Sequence, residues 1–302
     1  MKQTIIFPKF SAVLILAGLV TLSSCKKDNN STATSDSAQI TEAVQSDAVA
    51  EDQFNDVFNI TMGLQASDAG EDVGIGSGAG VIYRPAGPDG TLSPDSTSRC
   101  FTVTVSPKTR GVFPKTAVLD FGTGCLGKDG KMRSGKITSV YTGPMFVSGS
   151  SVTTTFDNYN VDSFKVEGTH TIQNKSTANK FSWSATVAGG KITNTQNNFW
   201  RKWDGTRDHE QVTGNSTPLN LLDDSFSITG NATGSNSNNN SWTSTITQPL
   251  IRKFTCRWID SGKVQITRNA NPDAATIDFG DGTCDAKATI TYKGVVYNIS
   301  LR

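Results

Sequence analysis

One short pattern occurs twice and constrains the fold more than any other feature of the chain. Leu119-Asp120-Phe121-Gly122-Thr123-Gly124-Cys125 returns as Ile277-Asp278-Phe279-Gly280-Asp281-Gly282-Thr283-Cys284, with one residue inserted before the cysteine. Each copy follows an earlier cysteine that opens an apolar run, Cys100-Phe101 in the first and Cys256-Arg257-Trp258 in the second. Glycine suits the positive φ of a tight turn, and aspartate can hydrogen-bond the backbone of its own turn. The chain therefore carries two Cys-strand-turn-strand-Cys units, about 99–142 and 254–302, on either side of a polar middle.

That middle reads as a run of hairpins. Phe181, Trp183, Ala185 and Val187 alternate with Lys180, Ser182, Ser184 and Thr186, the period of a strand with one buried face. Phe164-Val166, Phe226-Ile228 and Trp242–Ile246 repeat the period, while Gly189-Gly190 and Gly234–Asn240 read as turns or loops. In the first unit Phe101, Val103 and Val105 alternate with threonines, and Lys128-Asp129-Gly130-Lys131 signals a hairpin. In the second, Ala288, Ile290 and Tyr292 turn back through Lys293-Gly294. With only 35% apolar residues, the composition suits a sheet that is wet on one side. The expected fold is mainly β: a large antiparallel sheet or sandwich of meander type over 99–302, with one N-terminal helical segment.

The helical segment is expected over 38–66. Ile40 and Val44 are four apart, and Phe54, Val57 and Phe58 form an i, i+3, i+4 stripe, with Asp47, Glu51 and Asp52 placed towards the polar face. The segment has no basic residue, which argues for packing on the sheet rather than on a membrane surface. Residues 67–98 are rich in Gly and Pro. Gly74-Ile75-Gly76-Ser77-Gly78-Ala79-Gly80 lacks the preceding strand, following helix and lysine of a phosphate-binding loop.

The beginning of the chain gives an address. Lys2 and Lys9 precede an apolar run, Ser11–Leu22, too short to span a bilayer, and the run ends Leu22-Ser23-Ser24-Cys25. This resembles a lipobox. It implies a signal peptide over 1–24, cleavage by signal peptidase II, lipidation of Cys25 and a polar tether over 25–37. Cys25 followed by Lys26-Lys27-Asp28 resembles the lipoproteins of Bacteroidota, in which charged residues after the cysteine can direct export to the cell surface. The two Asp-Phe-Gly-x-Gly-(x)-Cys repeats extend the resemblance to envelope lipoproteins of that group, and it implies no activity. Asp36-Ser37-Ala38 and Asp95-Ser96-Thr97 also resemble O-glycosylation sites of those bacteria. The expected location is the outer membrane, on its cell-surface or periplasmic face.

With Cys25 lipidated, four cysteines remain. Their repeat favours Cys100–Cys125 and Cys256–Cys284 among three possible connectivities, each closure contributing about 3 kcal/mol. Removing Lys2 and Lys9 from 28 basic residues leaves 26 against 27 acidic ones, so no basic field points to nucleic acid.

Candidate chemistry is sparse. Phe199–Glu210 is the densest aromatic and charged stretch, and Trp200, Trp203 and Arg207 are the candidate ligand-binding residues for a glycan or protein partner. On a strand Trp200 and Trp203 face opposite sides. Asp208-His209-Glu210 could hold an acid/base pair, and His170 reads as a cross-strand surface residue. Asp278-Phe279-Gly280-Asp281-Gly282 resembles the turn of PKD-type extracellular repeats, without the aromatic and the His-Thr-Tyr strand that accompany it there. Asp278, Asp281 and Asp285 lack EF-hand spacing, and no metal or other cofactor is assigned. The function expected is a non-enzymatic structural or binding role at the membrane. The alternatives are a carrier sheltering an acyl chain on a curved sheet at Phe181, Trp183, Phe226 and Ile228, and a glycan-acting enzyme.

Overall fold

The computed structural model describes residues 3–4, 30–63, 101–127, 130–178, 180–216, 223–256 and 258–301. Most of the expected signal peptide, Cys25, the Gly/Pro-rich loop 67–98 with its second glycosylation-like triplet, Cys100 and the Lys128-Asp129 turn pair lie outside these residues.

Among the described residues fourteen antiparallel strands form one open sheet of meander topology: β2 (Thr102–Ser106), β3 (Lys115–Asp120), β4 (Cys125–Leu126), β5 (Met132–Tyr141), β6 (Ser151–Val161), β7 (Phe164–Asn174), β8 (Ser182–Asn194), β9 (Trp200–Thr213), β10 (Ser225–Asn236), β11 (Ser241–Lys253), β12 (Ser261–Arg268), β13 (Asn271–Asp281), β14 (Lys287–Tyr292) and β15 (Val295–Ser300). Each pairs with its neighbours in sequence, except that β4 sits beside β5 and β3 pairs β5 directly. Gln3–Thr4 (β1) adds a parallel pairing on β15.

The one helix among the described residues, α1 (Asn30–Met62), starts eight residues before the expected 38, within the stretch read as tether, and ends before 66. At 1.5 Å per residue it is about 50 Å long, close to the width of ten strands spaced about 4.8 Å apart. It crosses the sheet diagonally, its residue numbers rising as the strand numbers fall. Asp36 reaches Arg268 on β12 and Lys293 beyond β14. Glu51 reaches Arg207 on β9, Asp56 reaches Arg133 on β5, and Thr61 accepts at its carbonyl from Tyr141 Oη (2.7 Å). From Gln45 to Asn55 only Gln45, Ala48, Asp52 and Asn55 are exposed, one narrow stripe, so the sheet wraps most of the helix girth.

The sheet curves around the helix through irregularities in register. They fall at every pairing from β5–β6 to β12–β13. Bulges sharpen twist and bend a strand. Gly189-Gly190, read as a turn, is one of these: it lies inside β8 rather than at its end. A Cβ on Gly190 would sit 2.3 Å from Trp203 O and 2.9 Å from Phe54 Cζ, so here the helix and β9 both press on the strand. Gly190→Ala is accordingly expected to destabilise the protein by about 1–3 kcal/mol, as overpacking does. A lowered thermal midpoint checks this. Gly234–Asn240 is only partly a turn, because β10 continues to Asn236.

The meander defines two rims. A turn rim carries the short connections β6–β7, β8–β9, β10–β11, β12–β13 and β14–β15; the opposite loop rim carries β2–β3, β5–β6, β7–β8, β9–β10, β11–β12 and β13–β14. Asp36, near the start of α1, pairs with Lys293 in the β14–β15 turn, so the helix begins at the turn rim. The two repeats sit at opposite rims. Asp120 and Asp278 nevertheless make the same turn, each accepting from the amide two residues on, Gly122 (2.9 Å) and Gly280 (3.0 Å). Each also pairs with a lysine directly across the ladder, Lys136 or Lys263.

Candidate functional site

The concave face is lined with hydrogen-bonding and charged groups that meet an acidic helix. α1 carries Asp36, Glu42, Asp47, Glu51, Asp52 and Asp56 and no basic residue. Two of the three acids assigned to its polar face belong to the interface instead. Asp47 is only 3% exposed and accepts at Oδ1 from the indole Nε1 of both Trp203 (2.8 Å) and Trp242 (3.0 Å). Burial and the neighbouring Glu51 anion push its pKa up, while the indole donors pull it back. Glu51 takes a two-pronged bond from Arg207, Nε at 2.8 Å and Nη2 at 3.1 Å, and the guanidinium lies over the Trp203 ring. Asp52 alone stays exposed, 3.6 Å from Lys131.

The candidate ligand-binding trio is therefore dispersed. Trp203 and Arg207 are buried under α1, while Trp200 points the other way with Lys202 over its ring. The opposite facing of the two tryptophans follows the strand period, and it removes the stacked platform a sugar would need.

Both histidines lie in the core. His170, read as a surface residue, is 2% exposed and stacks on Phe54, with Phe58 meeting it edge-on. It shares strand parity with buried Val166 and Ile172, a signal present in the sequence. His209 stacks between Phe58 and Trp183, with centroids 5.8 and 5.2 Å away. Burial holds both imidazoles neutral, lowering His170 to about 4 and His209 to about 3, the latter helped by the Arg252 and Arg207 cations. Asp208 and Glu210 point outward to Lys175 and Lys180, so Asp208-His209-Glu210 does not converge on one face.

The four residues named as an acyl shelter are covered as well. Phe58 stacks on Trp183, which in turn packs against Phe181 and Phe226, and Ile228 clusters with Ile40, Ala43 and Val44. A hollow between the start of α1 and β13–β15, lined by Ile40, Val44, Ile290, Tyr292, Tyr297 and Ile299, measures about 20 Å³, room for one water. Among the described residues no helix is long and apolar enough to cross a membrane, which leaves strands unaddressed. No family model, curated protein or solved structure matches the chain.

What remains open to a partner is the outer face and both rims, the turn rim exposing Leu126 and Met132 at β4–β5 and Val295 and Val296 at the start of β15. The outer face carries threonine pairs, Thr153–Thr171 and Thr186–Thr206, and lysine–carboxylate pairs. The loop rim exposes Val112 on the β2–β3 loop, Phe146 and Val147 on the neighbouring β5–β6 loop, and Val212 at the end of β9. Lys108 and Arg110 are exposed beside Val112. Sequence reasoning missed these residues; an aromatic-aliphatic pair in a Gly/Pro/Ser loop, Pro144-Met145-Phe146-Val147-Ser148-Gly149, was the available signal.

The same rim carries the Cys256–Cys284 disulfide. Cys125 is also disulfide-bonded, at the turn rim. The carboxylates of Asp278, Asp281 and Asp285 are engaged by Gly280 and Lys263, by Thr283, and by Lys287 respectively. Asp36 of the first glycosylation-like triplet is tied to Arg268 and Lys293.

Proposed function

We propose that the protein is a lipid-anchored envelope lipoprotein with a non-enzymatic binding role, held by Cys25 and presenting its loop rim to a protein partner. The observation that carries this reading is the occupancy of the concave face by α1. A catalytic or carrier role on the concave face would need that face open to a ligand; here ion pairs, indole–carboxylate bonds and ring stacks close it. α1 begins at the turn rim only five residues after Cys25, which supports an orientation with the turn rim towards the membrane. The loop rim then points away, with Val112, Phe146 and Val147 exposed as a protein-binding surface requires. Cleavage before Cys25 removes β1 and leaves β15 as the sheet edge.

Fractionation tests the anchor. Wild type is expected in the membrane fraction and Cys25→Ser in the soluble fraction, with protease shaving of intact cells separating surface from periplasmic display. A Cys25→Ser protein that remains membrane-bound overturns the anchoring. Glycan turnover abolished by Asp208→Asn or Glu210→Gln overturns the non-enzymatic half.

A further inference from the structure

We propose that, once its disulfide is reduced, the loop rim holds a divalent-cation site made of Cys256, Cys284 and Asp260. The Sγ atoms of the two cysteines and a carboxylate oxygen of Asp260 all lie within 4.8 Å of one another. Asp260 is fully buried. Its Oδ2 accepts from Lys253 N (2.8 Å), but its Oδ1 is buried without a hydrogen-bond partner. A buried carboxylate oxygen left unpaired carries a desolvation cost that no described contact offsets. A cation at the two sulfurs would supply the missing partner.

Hydrogen bonds hold the scaffold around the cluster alongside the sulfur–sulfur bond. Asp260 N donates to Ile251 O (2.8 Å), its carbonyl accepts from Gly282 N (3.0 Å), and Lys253 Nζ bonds Gly282 O. Cys256 N donates to Lys253 O (3.0 Å). These bonds join the ends of β11 and β13, hold Cys256 beside Asp260 and fix Gly282 two residues before Cys284. Cys284 is exposed, so a reductant can reach the pair from solvent.

The chemistry balances with a dithiol reductant. Two electrons and two protons pass from the dithiol to the protein disulfide, giving two protein thiols and the reductant's own disulfide. Zn²⁺, which takes thiolate and carboxylate ligands in tetrahedral sites, then displaces the two thiol protons and binds two sulfurs and Asp260, leaving one position for water.

Cadmium provides the probe, through its thiolate charge-transfer absorption. Reduced wild type is expected to titrate to saturation at a single Cd²⁺ per chain above the signal of Cys284→Ser, which corrects for the other thiols. Zn²⁺ should displace it, oxidised wild type should give no such absorption, and Asp260→Asn should weaken binding at least about tenfold, since loss of a merely supporting group already costs that much. Circular dichroism is followed in parallel. If reduction loosens the sheet, the reading becomes refolding: Cd²⁺ should restore the β signal of wild type and not of Asp260→Asn. A reduced chain that neither binds nor refolds with Cd²⁺, or an Asp260→Asn variant indistinguishable from wild type, overturns the site.

Discussion

Acidification from pH 7 to pH 4 is expected to cost the protein several kcal/mol of stability through its two buried histidines. His170 and His209 are free to take protons in the unfolded chain near their ordinary pKa of 6.5, but in the fold only at about 4 and about 3. Below pH 6.5 the unfolded state therefore binds more protons than the folded one, and stability falls with pH until the folded values are reached. Each unit of separation corresponds to about 1.4 kcal/mol. The groups facing the pair are Phe54 and Phe58 of α1, Trp183 of β8, Arg207 and Asp208 of β9 and Arg252 of β11; of these only Asp208 favours the charged imidazolium. Asp47 works in the opposite sense. Its raised pKa means that its burial penalty is relieved as pH falls, so it partly offsets the histidines at the acid end. Asp120, Asp278 and Asp281 are held below the usual carboxylate value by their turn hydrogen bonds and lysines, and their contribution is lost only below about pH 4. Urea midpoints across the range test this. His170→Phe/His209→Phe should flatten the profile between pH 6.5 and 4, and an equally steep profile in that variant rules the histidines out.

The second large effect concerns Asp56. This carboxylate, 5% exposed, takes bonds from Arg133 Nε (3.0 Å) and Nη2, from Tyr159 Oη (3.2 Å), and a contact from Lys131 Nζ (3.4 Å). It fastens the C-terminal half of α1 to β5 and β6. Asp56→Ala leaves two cations and a phenol without the acceptor they share, and is expected to destabilise by about 3–5 kcal/mol. Arg133→Met made in the same chain should recover part of that loss, because the guanidinium left behind is itself a source of the penalty. Denaturant unfolding of the two single variants and the double one closes the cycle. A double variant as unstable as the sum of the two singles shows that the pair is not coupled.

The sheet was legible because its residues follow a period of two over long runs. Phe181 to Val187 and Ala288 to Tyr292 place their apolar members on one face with no competing signal, and Lys293-Gly294 marks its turn. The helix was legible as a helix packed on the sheet, but the partners of its acids were not. Asp47 and Glu51 were assigned to solvent by charge alone, whereas Asp47 shares its stripe with Ile40, Val44 and Phe54 and finds its donors on β9 and β11, at least 156 residues away. A partner so distant leaves no trace in local spacing. The same holds for Arg207, whose burial depends on Glu51 arriving from the helix, whereas the strand parity of His170 with Val166 and Ile172 did mark its inward face. Gly189-Gly190 misled for a different reason: a bulge inside a long curved strand uses the same residues as a turn. The Val112, Phe146 and Val147 rim became visible only when the meander placed two separate loops side by side.

In this fold α1 is part of the core and closes the concave face. Native-state hydrogen exchange measures this directly. The amides of Val44–Met62 should exchange as slowly as those of β7–β9, through opening of the whole structure. Rapid exchange along α1 over a protected sheet would contradict the account, because the concave face would then be open to a ligand.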